Sequence, residues 1–332
     1  MANYSVNILG TGSYVPPKIL TNKDLEKLVE TSDEWIRTRT GIRERHIVDP
    51  EVATSDLALK AGSEALKHAG VKAEEIDMVI LSTITPDYSF PATASIVAHR
   101  LGCQKAAAFD LEIACSGFVY GLSVASQFIQ TGMYKNVLVI GAECNSRIMD
   151  FNDRNTCIIF GDGAGAVVVG RGQPGYEIMS QYLRSDGGEL HSAIIRETGG
   201  CREPLTEENI GQRRHFISMD GKATFKFAIR AMEEASLKAL ELANLKPKDI
   251  DYMVPHQANI RILESAAKRL ELPMEKVLVN MDKYGNTVAA SIGIVLDEAV
   301  KAKKIKKGDT LLLVAFGAGL SWASTILRWG AD

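Results

Sequence analysis

Two hydrophobic rhythms alternate along this chain. Short, nearly unbroken apolar runs at 107–111, 136–141, 277–280 and 310–316 have the length of strands buried on both faces. Stretches with apolar residues every third or fourth position, at 95–101 and 264–270, predict amphipathic helices. The order of elements occurs twice. A helix end, a turn, an acidic stretch and a strand at 65–80 return 174 residues later at 239–254. Each copy then continues with a helix, a strand, a loop and second helix starting near Cys115 or near Asn286, and a closing strand. Two such copies predict an internally duplicated α/β protein with one sheet per copy and helices on the faces. The glycine-rich segment 170–175 is the natural joint, giving an N-terminal half 1–172 and a C-terminal half 173–332.

Two segments fall outside the repeat. Residues 22–49 carry alternating charge around Trp35, and 184–220 are polar and glycine-rich without a sustained period. Excursions of this length are expected to be lids or pocket walls, or else solvated loops.

Composition narrows the function classes. With 332 residues, 46% apolar and 24% charged, the chain is globular, and its net charge of −3 offers no overall basic field for nucleic acid. The longest apolar run, 311–320, is about half a membrane span and is broken by glycines, so no membrane association is expected. Residues 1–10 lack a signal-peptide pattern, which predicts an unexported, cytoplasmic protein. Cysteines 103, 115, 144, 157 and 201 form an odd set with no C-x-x-C pair. Neither a disulfide framework nor a zinc site is expected, and no carboxylate or histidine motif suggests another metal.

Among these thiols Cys115 has the distinctive context. It follows the buried strand 107–111, opens an apolar helix and has small neighbours in Ala114, Ser116 and Gly117. A helix N-terminus is expected to lower its pKa and favour thiolate; a crowded core cysteine is the plainer alternative. His256 follows the second copy's strand in Val254-Pro255-His256-Gln257, where Pro255 ends the ladder and leaves His256 at the carboxyl edge. His46, His68, His99, His191 and His215 are accounted for by helix surfaces and polar loops. Asn286, in Tyr284-Gly285-Asn286-Thr287, occupies the loop equivalent to the one carrying Cys115, although Gly-Asn-Thr alone reads as an ordinary turn. At Phe316-Gly317-Ala318-Gly319 the small residues would let a ligand approach backbone N–H groups.

With Cys, His and Asn in this order on a duplicated chain, the sequence resembles the β-ketoacyl-[acyl-carrier-protein] synthase III family. The motifs that carry the likeness run nearly end to end: Ser32-Asp33-Glu34-Trp35-Ile36, Arg39-Thr40-Gly41-Ile42, Ala114-Cys115-Ser116-Gly117, Phe160-Gly161-Asp162-Gly163-Ala164, Pro255-His256-Gln257-Ala258-Asn259 and Tyr284-Gly285-Asn286-Thr287. The resemblance implies a thiolase-like fold with two mixed five-stranded sheets in an αβαβα layering. It implies that Cys115 takes an acyl group from acyl-CoA, and that malonyl-acyl carrier protein then loses CO2 and attacks the acyl-cysteine. His256 and Asn286 would donate hydrogen bonds to the malonyl thioester oxygen, while the backbone N–H groups of Cys115 and Ala318 would form a second oxyanion hole.

By the same likeness, Trp35, Arg39, Thr40, Arg154, Asn259, Phe225 and Gly221 would contact CoA or its pantetheine arm. Phe90 and Phe316 would line the acyl pocket, Phe90 that of a neighbouring subunit in a homodimer. Lys226, Arg261, Lys268 and Arg269 would dock an acidic carrier protein. No cofactor is implied, since the CoA thioester is a substrate. One departure concerns the family's C-terminal glycine triplet, which here reads Gly317-Ala318-Gly319; Ala318 fits only if its φ is negative. A thiolase would need a second cysteine after Cys201, and an elongating synthase a second histidine after His256. A hydroxymethylglutaryl-CoA synthase would need a glutamate that the strand end Ser82-Thr83-Ile84-Thr85 does not offer. A secondary-metabolite synthase using another primer or acceptor is the remaining alternative.

Overall fold

Glycine ends the helices over residues 33–40, 54–69 and 93–101. The helix over Thr54–Ala69 closes at Gly70, whose φ of 64° is left-handed and whose N–H returns to the carbonyls of Leu66 and Lys67. In the computed structural model, which describes residues 4–188 and 194–331, the main elements follow in chain order. They are β1 (Val6–Tyr14), α1 (Asp33–Thr40), α2 (Thr54–Ala69), β2 (Met78–Ser82), α3 (Thr93–Leu101), β3 (Ala107–Leu111), α4 (Gly117–Gln130), β4 (Asn136–Glu143) and β5 (Gly163–Arg171). The second series comprises β6 (Ile178–Ser185), α5 (Gly221–Leu242), β7 (Tyr252–Pro255), α6 (Ile260–Arg269), α7 (Ala290–Lys301), β8 (Thr310–Gly317) and β9 (Ser321–Arg328).

The first sheet has five strands in the order β1-β5-β4-β2-β3. Its β2 pairs in parallel with β3 and β4, while β5 runs antiparallel to β4 and β1. The second sheet has four strands, β7-β8-β9-β6, with only the β7–β8 pair parallel. The predicted strand at 277–280 is reduced to a single parallel bridge between Met253 and Val277. A short turn over Met274–Lys276 delivers the chain there, and Leu278 N–H adds one bond to the carbonyl of Met253. That suffices to hold the segment beside β7 without extending the ladder.

Both sheets are apolar on two faces, as unbroken hydrophobic strands require. In β8, Leu311, Leu313 and Ala315 point toward a central layer, while Leu312, Val314 and Phe316 point outward under α5 and α6. Outside the first sheet lie α2 and α3, packed on Val79, Leu81, Leu138 and Ile140. Between the sheets run α4 and α7, which meet the inner strands through Phe118, Leu122, Ile292 and Leu296. The result is the five-layer αβαβα arrangement. Close approach of α7 to β5 depends on a glycine pair: a methyl on Gly165 would lie 2.6 Å from Gly293 backbone, and one on Gly293 2.8 Å from Gly165.

Candidate active site

A cavity of about 370 Å³ opens where the carboxyl ends of β7 and β8 meet the loop after β3, and Cys115, His256 and Asn286 all line it. All three are buried at 6%, 0% and 6% exposure, while Trp35 at the mouth is 38% exposed. Both excursions from the repeat form walls: Trp35, Arg39 and Thr40 from the first, Ile194, Met219 and Asp220 from the second. His191 lies outside the described residues.

Cys115 sits in a one-turn 3-10 helix, Ala114–Ser116, that leads into α4. The preceding Ala114 has a left-handed φ of 47°, an uncommon conformation that turns the chain sharply out of the strand. Around the thiol pack Ile148, Met149, Phe160, Ile217 and Val288. This apolar shell overturns the expectation of a lowered pKa. Burial pushes the Cys115 thiol far above its ordinary range, and the nearby Glu143 carboxylate adds to the effect. The end of β8 presses directly on Cys115: a Cβ on Gly317 would come 2.8 Å from Cys115 N and 3.1 Å from its Cβ.

His256 is anchored through its backbone N–H to the Val314 carbonyl at 2.8 Å, extending the β7–β8 ladder by one bond. Its ring meets Phe316 edge to face at 5.4 Å, and its Nδ1 lies 2.7 Å from Ser291 Oγ. Nε2 has no partner among the described residues. Burial drops the imidazole from its ordinary 6.5 to about 3, so the ring is neutral at physiological pH. Asn286 is clamped by backbone bonds in both directions, its N–H to Ile159 O at 2.9 Å and its O from Gly161 N–H at 3.0 Å. Its Oδ1 accepts the Val288 N–H at 2.8 Å, which leaves the Nδ2 hydrogens for the cavity.

Sequence reasoning missed two groups here. The strand end 82–85 carries no acid of its own, but the fold brings Glu143 to it from β4. The Glu143 carboxylate accepts from Thr83 Oγ1, Thr85 Oγ1 and Ile84 N–H at 2.7–3.1 Å, and also from Ala289 N–H. Burial lifts it to about 8. Engaged by four donors and absent from the cavity wall, it braces the loops rather than offering a free base. Ser291, in the first turn of α7, was hidden inside an apolar helix pattern.

At the mouth, the Arg154 and Arg39 guanidinium carbons lie 5.1 and 5.9 Å from the Trp35 ring centre. Asn259 caps α6 by accepting the Arg261 N–H, and its Nδ2 donates to the Arg39 carbonyl at 3.0 Å. Gly221 and Phe225, on the first turns of α5, line the same opening, as does Phe316 deeper in. Ala318 is not among the residues with positive φ; Gly319, at 132°, takes that role. Lys226, Arg261 and Lys268 are exposed, Arg261 over the ring of Phe225 that lines the opening, while Arg269 is paired with Glu233. Phe90 does not reach this cavity within its own chain; it stands 86% exposed on a loop beside Tyr88.

Comparison with known proteins gives one consistent result. The family model described as 3-oxoacyl-[acyl-carrier-protein (ACP)] synthase III matches residues 109–187, and the model for the C-terminal part of the same enzymes matches 240–329. Beta-ketoacyl-[acyl-carrier-protein] synthase III of Caldanaerobacter subterraneus subsp. tengcongensis is 56% identical over 98% of both chains. Its namesake from Clostridioides difficile is 52% identical over 98% of this chain and 99% of its own. The crystal structure of the Aquifex aeolicus VF5 enzyme of that name matches with a TM-score of 0.91 at 46% identity, covering 98% of this chain and all of the other.

Proposed function

Because the chain belongs to the 3-oxoacyl-[acyl-carrier-protein] synthase III family, we propose that it catalyses the decarboxylative condensation of a short acyl-CoA primer with malonyl-[acyl-carrier protein], the step that initiates type II fatty acid synthesis. The observation that carries the reading is the shared cavity of Cys115, His256 and Asn286, with a thiol in an apolar shell and His256 Nε2 without a partner among the described residues.

In the first half-reaction the Cys115 sulfur attacks the thioester carbonyl, the C–S bond to CoA breaks, and the thiol proton leaves with the CoA sulfur. The backbone N–H groups of Cys115 and Ala318 steady the tetrahedral oxyanion. In the second, the malonyl C–C bond to the carboxylate breaks and CO2 departs. The electron pair moves onto the thioester oxygen, where His256 Nε2–H and Asn286 Nδ2–H hold it. Each donor in such a hole contributes about 3 kcal/mol of barrier reduction. The resulting carbanion attacks the acyl-cysteine and expels Cys115 as thiolate, which regains a proton from solvent. A thiol suits this cycle because thioester exchange is close to thermoneutral and the sulfur leaves as readily as it enters.

Trp35 with Arg39 and Arg154 forms an aromatic and cationic grip suited to an adenine nucleotide, and Thr40, Gly221, Phe225 and Asn259 border the route for a pantetheine arm. The exposed face of Lys226, Arg261 and Lys268, with Arg269 moderated by Glu233, suits an acidic carrier protein. An open edge at β3 and the projecting Phe90 and Tyr88 side chains support a homodimer in which Phe90 closes the partner's acyl pocket. The halves 1–172 and 173–332 act as the nucleophile-bearing and donor-bearing units. The reaction draws on no cofactor, with CoA as a substrate, and its partners assign it to the cytoplasm. Among the described residues no helix is long and apolar enough to cross a membrane.

The test is incubation with radiolabelled acyl-CoA. Wild type should become stably labelled and Cys115→Ala should not; label that persists in Cys115→Ala removes the proposed nucleophile.

A further inference from the structure

A neutral imidazole carries one ring proton, and the nitrogen that holds it decides whether the cavity meets a donor or a lone pair. Burial keeps His256 neutral, so its tautomer is a functional variable. With Nδ1 turned to Ser291, Nε2 is the end left for the cavity that the ring lines. Among the described residues Nε2 has no partner that could select its state.

The selection falls to Nδ1. Ser291 is 2% exposed, and its hydroxyl has one proton and two acceptors within reach, His256 Nδ1 at 2.7 Å and the Val288 carbonyl at 2.9 Å. These bonds exclude one another. If the proton goes to Val288, the serine oxygen can only accept, Nδ1 must carry the ring hydrogen, and Nε2 shows the cavity a lone pair. If it goes to Nδ1, the ring hydrogen sits on Nε2. Two features favour the second arrangement. The Nδ1 contact is shorter and involves the more basic acceptor, and the Val288 carbonyl already receives the Ser291 backbone N–H at 3.3 Å.

We propose that Ser291 is a positioning residue whose hydroxyl donates to His256 Nδ1 and thereby fixes the ring proton on Nε2, facing the cavity. This inference rests on the proposed function, in which that N–H steadies the oxygen of the decarboxylating malonyl thioester. The opposite tautomer would aim a lone pair at developing negative charge. Ser291 therefore bears on the second half-reaction and leaves acyl transfer to Cys115 nearly untouched, since that step draws on backbone N–H groups.

The experiment uses full-length enzyme with ¹⁵N-labelled histidine rings, the His256 signals being assigned by their absence in His256→Asn. In wild type Nε2 should appear protonated and Nδ1 as an unprotonated acceptor. Ser291→Ala should lose at least tenfold in malonyl decarboxylation and keep acyl labelling of Cys115 within about threefold, a split that a merely loosened fold would not produce. A resting wild-type spectrum with the proton on Nδ1 overturns the proposal, as does a folded Ser291→Ala that decarboxylates at the wild-type rate or loses both half-reactions equally. If Ser291→Ala does not fold, the wild-type spectrum decides alone. Failure of the underlying functional reading is distinct, because it would appear in wild type as absent labelling of Cys115 or absent CO2 release.

Discussion

Ala114 and Val288, which lie in the two loops that the repeat pairs, both adopt left-handed backbone, with φ of 47° and 51°. One precedes the cavity's thiol, and the other donates its N–H to the carboxamide of Asn286. For a β-branched residue this conformation is a true outlier, and such strain persists only where surrounding structure enforces it. One bend lies just before the cavity's thiol and the other just after its carboxamide, in the two loops that contribute Cys115 and Asn286 to the lining.

Ala114→Gly should therefore leave stability unchanged or raise it by up to about 1 kcal/mol, since glycine accepts positive φ without strain. The same change frees the backbone next to Cys115, and acyl labelling should slow severalfold. Thermal melts and labelling rates measured on one preparation check both halves of the expectation; slower labelling together with a large loss of stability would contradict it.

At Gly317 the constraint is space. A methyl there must displace Cys115 N, which it would approach to 2.8 Å, and overpacking of this kind costs about 1–3 kcal/mol. Gly317→Ala should stay folded by circular dichroism yet lose about a hundredfold in acyl transfer, because a reacting atom misplaced by an ångström costs about that much. Wild-type labelling would mean that β8 does not set the position of the sulfur.

Asn286 separates the half-reactions. Asn286→Ala removes an Nδ2 donor and also the acceptor for Val288 N–H. Malonyl decarboxylation should fall by about 10²–10³-fold, as for other side-chain oxyanion donors, while Cys115 still acquires label. Asn286→Asp keeps the acceptor but offers no N–H when ionised, and should be equally defective in decarboxylation. CO2 release and label incorporation, followed separately, decide the matter.

Two buried groups impose opposite pH slopes on stability. Glu143 is raised from 4.5 to about 8, so between those values the unfolded chain gives up a proton that the folded chain keeps, and stability falls as pH rises. His256 is lowered from 6.5 to about 3, so across that window the unfolded chain binds a proton that the folded chain refuses, and stability rises with pH. The two slopes oppose each other where the windows overlap. Glu143→Gln should remove the alkaline loss and unmask a melting temperature that climbs with pH on the acid side; His256→Asn should do the reverse. Unchanged melting profiles in both variants would show that neither group titrates with folding.

The duplication was legible because its apolar runs and turns recur in the same order, whereas Cys115, His256 and Asn286 were singled out together only by the family's motifs, since Asn286 alone reads as an ordinary turn and Cys115 equally as a core cysteine. What stayed hidden depends on neighbours distant in sequence. Glu143 meets Thr83 and Thr85 across two adjacent strands, a pairing that no local pattern encodes. Ser291 looks like one more small residue in a buried helix until the ring of His256 is set beside it. The direction of the Cys115 shift was misread because a helix end is visible in sequence, whereas the shell formed by Ile148, Met149 and Ile217 assembles only in the fold. The segment at 277–280 has the apolar content of a strand but retains a single bridge, since periodicity does not report pairing.

The glycine contact between Gly165 and Gly293 acts as a gauge. Because α4 and α7 separate the two sheets, the thickness of that inner slab sets the gap between a sulfur carried by one half and donors carried by the other. Substitutions that swell or thin it, far from any surface a substrate touches, would detune the chemistry long before they unfolded the chain.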